Sequence, residues 1–257
     1  MLKAVLFDLD QTLLDWSQVQ PWEDFQRRRI MALFDYARRE LGAPAELTLE
    51  ALVVAYGQAL SAAWQHARLT LQAPDIRVVL GEALAAAGVP TQRADPAALL
   101  SAFNRHPPAG ERAYDDVLAV LPQIEAQGVA LGLITYSANP MTVRDHELHA
   151  TGMLHFFPVC RLSAVDVGVI KPHPAIFRRG LELLDVEPGE AVFVGDSLEA
   201  DVAGAQGAGL YSVWLAREGE APETDDTIVP DATITTLHDL LPVLDSRFPG
   251  WRNGHER

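Results

Sequence analysis

Leu6-Phe7-Asp8-Leu9-Asp10-Gln11-Thr12-Leu13-Leu14 is the stretch against which the rest of the chain is read. The apolar run from Ala4 to Phe7 suits a buried parallel strand, and it stops abruptly at two carboxylates one residue apart. Alternate residues of a strand point the same way. Asp8 and Asp10 can therefore face one crevice at the carboxyl end of the strand, where open α/β sheets bind ligands. Two acids that close repel each other unless a cation sits between them. A hard, oxygen-preferring ion such as Mg²⁺ removes the repulsion, leaving one carboxylate free as a nucleophile and the other as a proton carrier. Thr12 can fix the turn beyond with its hydroxyl. A calcium loop does not fit, because the places counted from Asp8 that need Gly and Glu hold Leu13 and Val19. An Asp-x-Asp pair alone also occurs in solvated turns, so its meaning depends on what distant segments supply.

The chain has 257 residues, 49% of them hydrophobic, enough for one large domain or two modest ones. Its 35 acidic and 20 basic side chains give a formal charge of −15, and no basic run could track phosphates, so nucleic acid is not an expected partner. The single cysteine, Cys160, cannot form an intrachain disulfide and reads as a small buried apolar residue. Only four apolar residues separate Lys3 from Asp8, too few for a signal peptide, and no run approaches a membrane span. The expectation is a cytoplasmic protein with no membrane partner. Oligomeric state is not readable.

From Trp16 to about Pro108 the pattern is helical throughout. Ile30, Leu33, Phe34, Ala37 and Leu41 form one stripe, stopped by Gly42 and Pro44. Thr48 stands where a cap belongs, before a stripe from Leu49 to Trp64. A third stripe runs from Ile76 to Ala87, and Asp95-Pro96 opens a short fourth helix. One helix would suffice for a simple βαβ crossover, so residues 16–108 read as an all-helical insert, with residues 1–15 and 109–257 forming the core. A hinge is expected at His106-Pro107-Pro108-Ala109-Gly110. Beyond it, strand-like runs at Ala130 to Thr135, Pro158 to Cys160, Ala191 to Val194, Tyr211 to Leu215 and Ala232 to Thr235 alternate with helical stretches. That is an α/β fold, a parallel sheet with helices on both faces. Pro122 is expected to break or kink the helix before Ala130. Glu218 to Asp226 reads as an acidic loop and Phe248 to Arg257 as a frayed tail.

Three later segments end apolar runs with polar residues, as the first does. Val129 to Ile134 runs into Thr135-Tyr136-Ser137-Ala138-Asn139-Pro140, where a hydroxyl and free amides can cradle an anion and Asn139 can cap a helix, although a plain βα turn has the same composition. Lys171 precedes Pro172 and is one of only two lysines in the chain, with Lys3. As a point charge it could hold a phosphoryl group and a nucleophilic carboxylate together, or it could simply be solvated. His173 reads as a cap or surface residue. Finally, Ala191-Val192-Phe193-Val194-Gly195-Asp196 ends a buried strand in a further carboxylate, with Asp201 five residues on. Glycine lets the backbone come close there, and Asp201 could orient a metal-bound ligand.

Taken together, Asp8-x-Asp10-x-Thr12, Thr135, Lys171 and Gly195-Asp196 with Asp201 resemble, in order and spacing, the four motifs of the haloacid dehalogenase superfamily of hydrolases. The helical insert is similar to that superfamily's C1-type cap. The resemblance implies a Rossmann-like core, Mg²⁺ and an aspartyl-phosphate intermediate. Asp8 would be the nucleophile and Asp10 the general acid and base. Thr135 and the amide of Tyr136 would hold phosphate oxygens, with Lys171 neutralising them. Asp8, the backbone carbonyl of Asp10, and Asp196 would bind Mg²⁺, supported by Asp201. Gln11 departs from the glycine, asparagine or aspartate usual at its place, and Tyr136 from a small residue or asparagine. The expected function is a Mg²⁺-dependent phosphatase acting on a small phosphorylated metabolite; Asp10 stands where the dehalogenases carry tyrosine. A phosphomutase and a noncatalytic binding protein that keeps the fold are the alternatives. Substrate choice should rest with the insert. There Arg27, Arg28 and Arg29 read as a solvated helix face paired with Glu23 and Asp24, and Trp16 and Trp22 are candidates for either pocket lining or core.

Overall fold

A computed structural model describes residues 1–17, 19, 21–106, 110–217, 225 and 227–253. Pro107-Pro108-Ala109 of the expected hinge, most of the acidic loop and the last four residues lie outside these. From the N-terminus, β1 (Ala4–Phe7) and a short β2 (Leu14–Asp15) precede four helices: α1 (Trp22–Glu40), α2 (Leu49–Thr70), α3 (Ile76–Ala86) and α4 (Pro96–Phe103). After β3 (Arg112–Ala113) come α5 (Val117–Glu125), β4 (Ala130–Thr135), α6 (Met141–Ala150), β5 (Cys160–Ser163), α7 (Ala164–Val167) and α8 (Pro174–Leu184). The chain continues through β6 (Ala191–Gly195), a π-helical turn at Leu198–Ala203, α9 (Gly204–Gly207), β7 (Tyr211–Leu215), β8 (Ala232–Ile234) and α10 (Leu240–Arg247).

Six strands form one sheet in the order β5-β4-β1-β6-β7-β8, and every pair in it is parallel. The pleat divides β1 between two cores. Val5 and Phe7 bury into one with Leu133, Val192 and Val194, while Ala4 and Leu6 bury into the other with Ile134, Ala191 and Phe193. Because β1 lies between β4 and β6, the carboxyl ends of three strands meet at the point where the strand order reverses, the usual ligand crevice of such sheets.

The helices between β2 and β3 carry a third apolar core of their own, including Leu33, Leu52, Leu80, Leu84 and Phe103. Their caps are those the sequence suggests: Thr48 accepts from Ala51 N at 3.1 Å and Asp95 from Ala97 N at 3.0 Å. β2 and β3 pair antiparallel, so the segments that leave for the helical block and return from it run side by side. Backbone bonds tie the block to the crevice: Ile170 N donates to Leu71 O at 2.9 Å and Ile76 N to Ala138 O at 3.1 Å.

Three local expectations change. Pro122 does not end its helix; α5 runs through it, giving up one ladder bond while Val117, Val120, Leu121 and Ile124 bury. The strand expected at Pro158 to Cys160 is Cys160–Ser163, because Arg161 and Ser163 hide its apolar pattern and Pro158 has no amide to give a ladder. Asn139 caps nothing. The free amide of Met141 at the start of α6 is taken instead by Asp166 Oδ2 at 2.7 Å, from the far side of β5.

Candidate active site

The loops after β1, β4 and β6, with the segment between α7 and α8, converge on a cavity of about 400 Å³ lined by Asp8, Asp10, Tyr136, Lys171, Asp196 and Asp201 among others. Lys171 Nζ lies 2.6 Å from Asp8 Oδ1 and 2.5 Å from Asp201 Oδ1, and all three side chains are almost fully buried. Burial alone would lower the lysine's pKa, but Asp201 and Asp8 outweigh it and raise the value, so the ammonium stays charged. Asp8, Asp196 and Asp201 each bring a carboxylate oxygen into a set whose members all lie within 4.8 Å of one another. Burial and then Asp201 push Asp196 up to about 7, and burial holds Asp8 well above the usual carboxylate range against the pull of Lys171. One lysine does not satisfy three clustered acids, two of them buried. The oxygen-only donor set and this surplus of negative charge fit a hard divalent cation. Both oxygens of Asp201 are already engaged, Oδ1 by Lys171 and Oδ2 by Ser197 N at 3.1 Å, which suits a supporting position.

The backbone is shaped for this cluster. A Cβ on Gly195 would sit 2.3 Å from Asp201 Cγ, so only glycine lets the β6 turn pass under that carboxylate. Gln11 has φ +64°, in the left-handed region, which is why glycine, asparagine or aspartate suits its place better. Thr12, fully buried, donates to Asp196 Oδ1 at 3.2 Å and so joins the first turn to the third.

Asp10 faces outward from the cluster. Its Oδ2 accepts from Thr135 Oγ1 at 3.3 Å, and its Oδ1 accepts from Trp16 Nε1 at 2.8 Å and Arg144 Nη2 at 2.6 Å. Arg144 is itself buried and lies 3.1 Å from Glu147, whose carboxyl burial pushes up to about 7 despite that neighbour. Tyr136 lines the cavity and stacks on Trp64 of α2, with ring centroids 4.9 Å apart, so it joins core to helical block. His173 caps α8 through Nδ1, as its position suggested.

Beyond Asp10 and Gln11 a second cavity of about 440 Å³ opens between the core and the helical block. Trp16 and Trp22 both line it, in edge contact at 5.9 Å. The arginine triplet divides. Arg27 pairs with Glu50 of α2 at 2.6 Å rather than with its own helix, whereas Arg29 is 6% exposed and reaches this cavity, so the reading of a solvated face fails at that residue. The helix turns Arg29 inward beside Ile30 and Leu33, a face on which the chain repeat places apolar side chains. Sequence reasoning also missed Arg144 and Glu147. Their three-residue spacing reads as an ordinary surface pair. The available signal was that Arg144 shares a helix face with Met141 and Leu148, both buried.

No helix among the described residues is long and apolar enough to cross a membrane. The family model of haloacid dehalogenase-like hydrolases matches residues 2–209. The chain is 32% identical over 254 residues to a glyceraldehyde 3-phosphate phosphatase of Methanopyrus kandleri, covering 95% of this chain and 97% of that protein. It is 33% identical over 263 residues to a phosphoserine phosphatase of Thermus thermophilus, covering 93% and 98%. A 2-haloacid dehalogenase of Pseudomonas syringae superposes with a TM-score of 0.65 at 30% identity, over 96% of this chain and 99% of the other. With the carboxylate cluster at the strand ends and these relationships over nearly its whole length, the chain belongs to the haloacid dehalogenase-like hydrolases.

Proposed function

We propose that the protein is a Mg²⁺-dependent phosphatase that hydrolyses a small phosphorylated metabolite through an aspartyl-phosphate on Asp8. One observation carries the reading: a buried Asp8 held by Lys171, with a second carboxylate, Asp10, set apart from the cluster and within reach of the same cavity. Halide leaves carbon without needing a proton, so a dehalogenase has no use for that second acid. An alkoxide does need one. The phosphatase relatives agree with this choice.

Asp8 attacks phosphorus, the bond to the ester oxygen breaks, and Asp10 gives its proton to the departing alkoxide. Water then attacks the aspartyl-phosphate and loses a proton to Asp10, releasing phosphate and restoring both acids. Lys171 and the hydroxyl of Thr135, with the amide of Tyr136, hold the phosphoryl oxygens and oppose their charge. Asp8, the carbonyl of Asp10, and Asp196 would hold Mg²⁺, with Asp201 supporting them. When bound, the ion supplies charge neutralisation at the transferring group. Residues 16–108 act as the cap on a core of residues 1–15 and 109–257, closing the crevice to water.

The test is phosphate release from p-nitrophenyl phosphate with Mg²⁺, with EDTA, and by Asp8→Asn. Turnover that needs the metal and vanishes in the variant is expected. Turnover that survives Asp8→Asn would sink the covalent mechanism, and an inactive wild type across a panel of phosphate esters would sink the phosphatase reading.

A further inference from the structure

The second cavity holds a charge that the mechanism does not use. Arg29, on α1, is 6% exposed, and among the described residues no carboxylate pairs with it. Its guanidinium lies 3.9 Å from the Phe103 ring centroid and 5.2 Å from that of Phe25. Its polar partner among the described residues is neutral: Nη2 donates to Asn104 Oδ1 at 2.6 Å, while Asn104 Nδ2 is spent on Leu100 O. Nε is buried with no hydrogen-bond partner among the described residues.

The other charges around the cavity lie within ion-pair distance of one another, although Arg144 Nε and Glu147 Oε2 make no hydrogen bond among the described residues. Arg144 answers both Asp10, at 2.6 Å, and Glu147, at 3.1 Å. The lining thus holds two cations and two carboxylates, but Arg29 is the one of the four with no opposite charge within ion-pair distance among the described residues, and burial lowers its pKa to about 10. An unpaired buried guanidinium is costly to hold, and planar carboxylates meet its geometry. A phosphate dianion would call for more than this single unpaired cation. Trp16, Trp22 and Phe25 line the same cavity as Asp10 and Arg29 and give it an apolar wall against which a short carbon chain can lie.

We infer that this cavity receives the leaving-group end of the substrate and that Arg29, held by Asn104, pairs there with a carboxylate. The substrate class is then a phosphomonoester of a short hydroxy acid. The inference rests on the phosphatase reading and narrows it. Asn139 Oδ1, also buried without a partner on the core side of the cavity, is placed to accept from a hydroxyl or ammonium beside that carboxylate.

The experiment compares matched esters with Mg²⁺ present: phosphoglycolate against ethyl phosphate, and 3-phosphoglycerate against glycerol 3-phosphate, with pyrophosphate as a further arm. The wild type should favour at least one acid over its neutral counterpart by about 10- to 100-fold in kcat/KM, the worth of a charged hydrogen-bonded pair. In Arg29→Met that ratio should collapse towards unity, and Arg29→Lys should keep part of it. Arg29 also packs on two rings, so thermal unfolding of both variants is read alongside. If Arg29→Met does not fold, the wild-type ratio and the lysine variant decide. A wild type that treats acids and neutral esters alike, or prefers pyrophosphate, overturns the inference while leaving the phosphatase reading intact. So does an Arg29→Met variant that folds and keeps the preference, or that slows both members of a pair equally. No phosphate release from any ester, p-nitrophenyl phosphate included, overturns both.

Discussion

The two cavities that meet at Asp10 are built in opposite ways. Around Asp8 the acids outnumber the cation: the carboxylates of Asp8, Asp196 and Asp201 gather about one lysine, which pairs with Asp8 and Asp201, and all three acids follow strands of the sheet at its carboxyl edge. Around Arg29 the charges are equal in number but the cation stands out of ion-pair reach of either acid, and the walls come from both the helical block and the core. The first needs a positive ion to complete it, the second a negative group. Asp10 stands between them, bonded towards Thr135 on one side and Trp16 and Arg144 on the other. A phosphate ester carrying its own second charge would complement both at once.

Breaking the first cavity should have the largest effects. Asp8→Asn should abolish turnover, and phosphate release is the readout. Lys171→Met leaves Asp8 and Asp201 buried without their cation, at a cost of about 3–5 kcal/mol. Chemical unfolding should show that loss, and added Mg²⁺ should restore more stability to the variant than it adds to the wild type. An unchanged unfolding midpoint would mean the ion pair contributes little. Gly195→Ala forces a methyl group against Asp201 and should cost about 1–3 kcal/mol, together with the stabilisation that Mg²⁺ gives in thermal unfolding.

The second cavity offers smaller and more selective effects. Glu147 has its folded pKa raised to about 7, so it stabilises the fold fully below its ordinary pKa, and that contribution is lost as the pH rises through 7. Glu147→Gln should flatten stability between about pH 4.5 and 8, removing a slope worth on the order of 3 kcal/mol. Parallel pH profiles for the two proteins would place Glu147 in contact with water. Trp22 is 54% exposed and touches Trp16 and Phe25 by ring contacts, so Trp22→Ala should cost about 1 kcal/mol or less. Its preference between phosphate esters should nevertheless shift severalfold. A lower melting temperature with the same preference would remove Trp22 from the pocket's role.

The first site was legible in the chain because its leading residues sit where strands stop. Asp8, Thr135 and Asp196 follow apolar runs directly, and the structure brings them, with Lys171, to adjoining loops at the reversal of the strand order. The second was not legible. Arg29 and Glu147 sit mid-helix in charged company, and nothing local separates a charge turned towards a cavity from one turned towards water. The same blindness let Asn139 pass as a cap when Asp166, 27 residues further along, takes that place.

What the sequence alone determined is the alternation of strand and helix, the helical insert and the carboxylates at strand ends. Those follow from periodicity and from the rarity of acids beside buried apolar runs, both local properties. Only the tertiary structure decided which charges find partners: Lys171 with Asp8 and Asp201, Arg144 with Asp10 and Glu147, Arg29 with no carboxylate among the described residues. Pairing depends on distance across the fold and on exclusion of water, and a linear pattern carries neither.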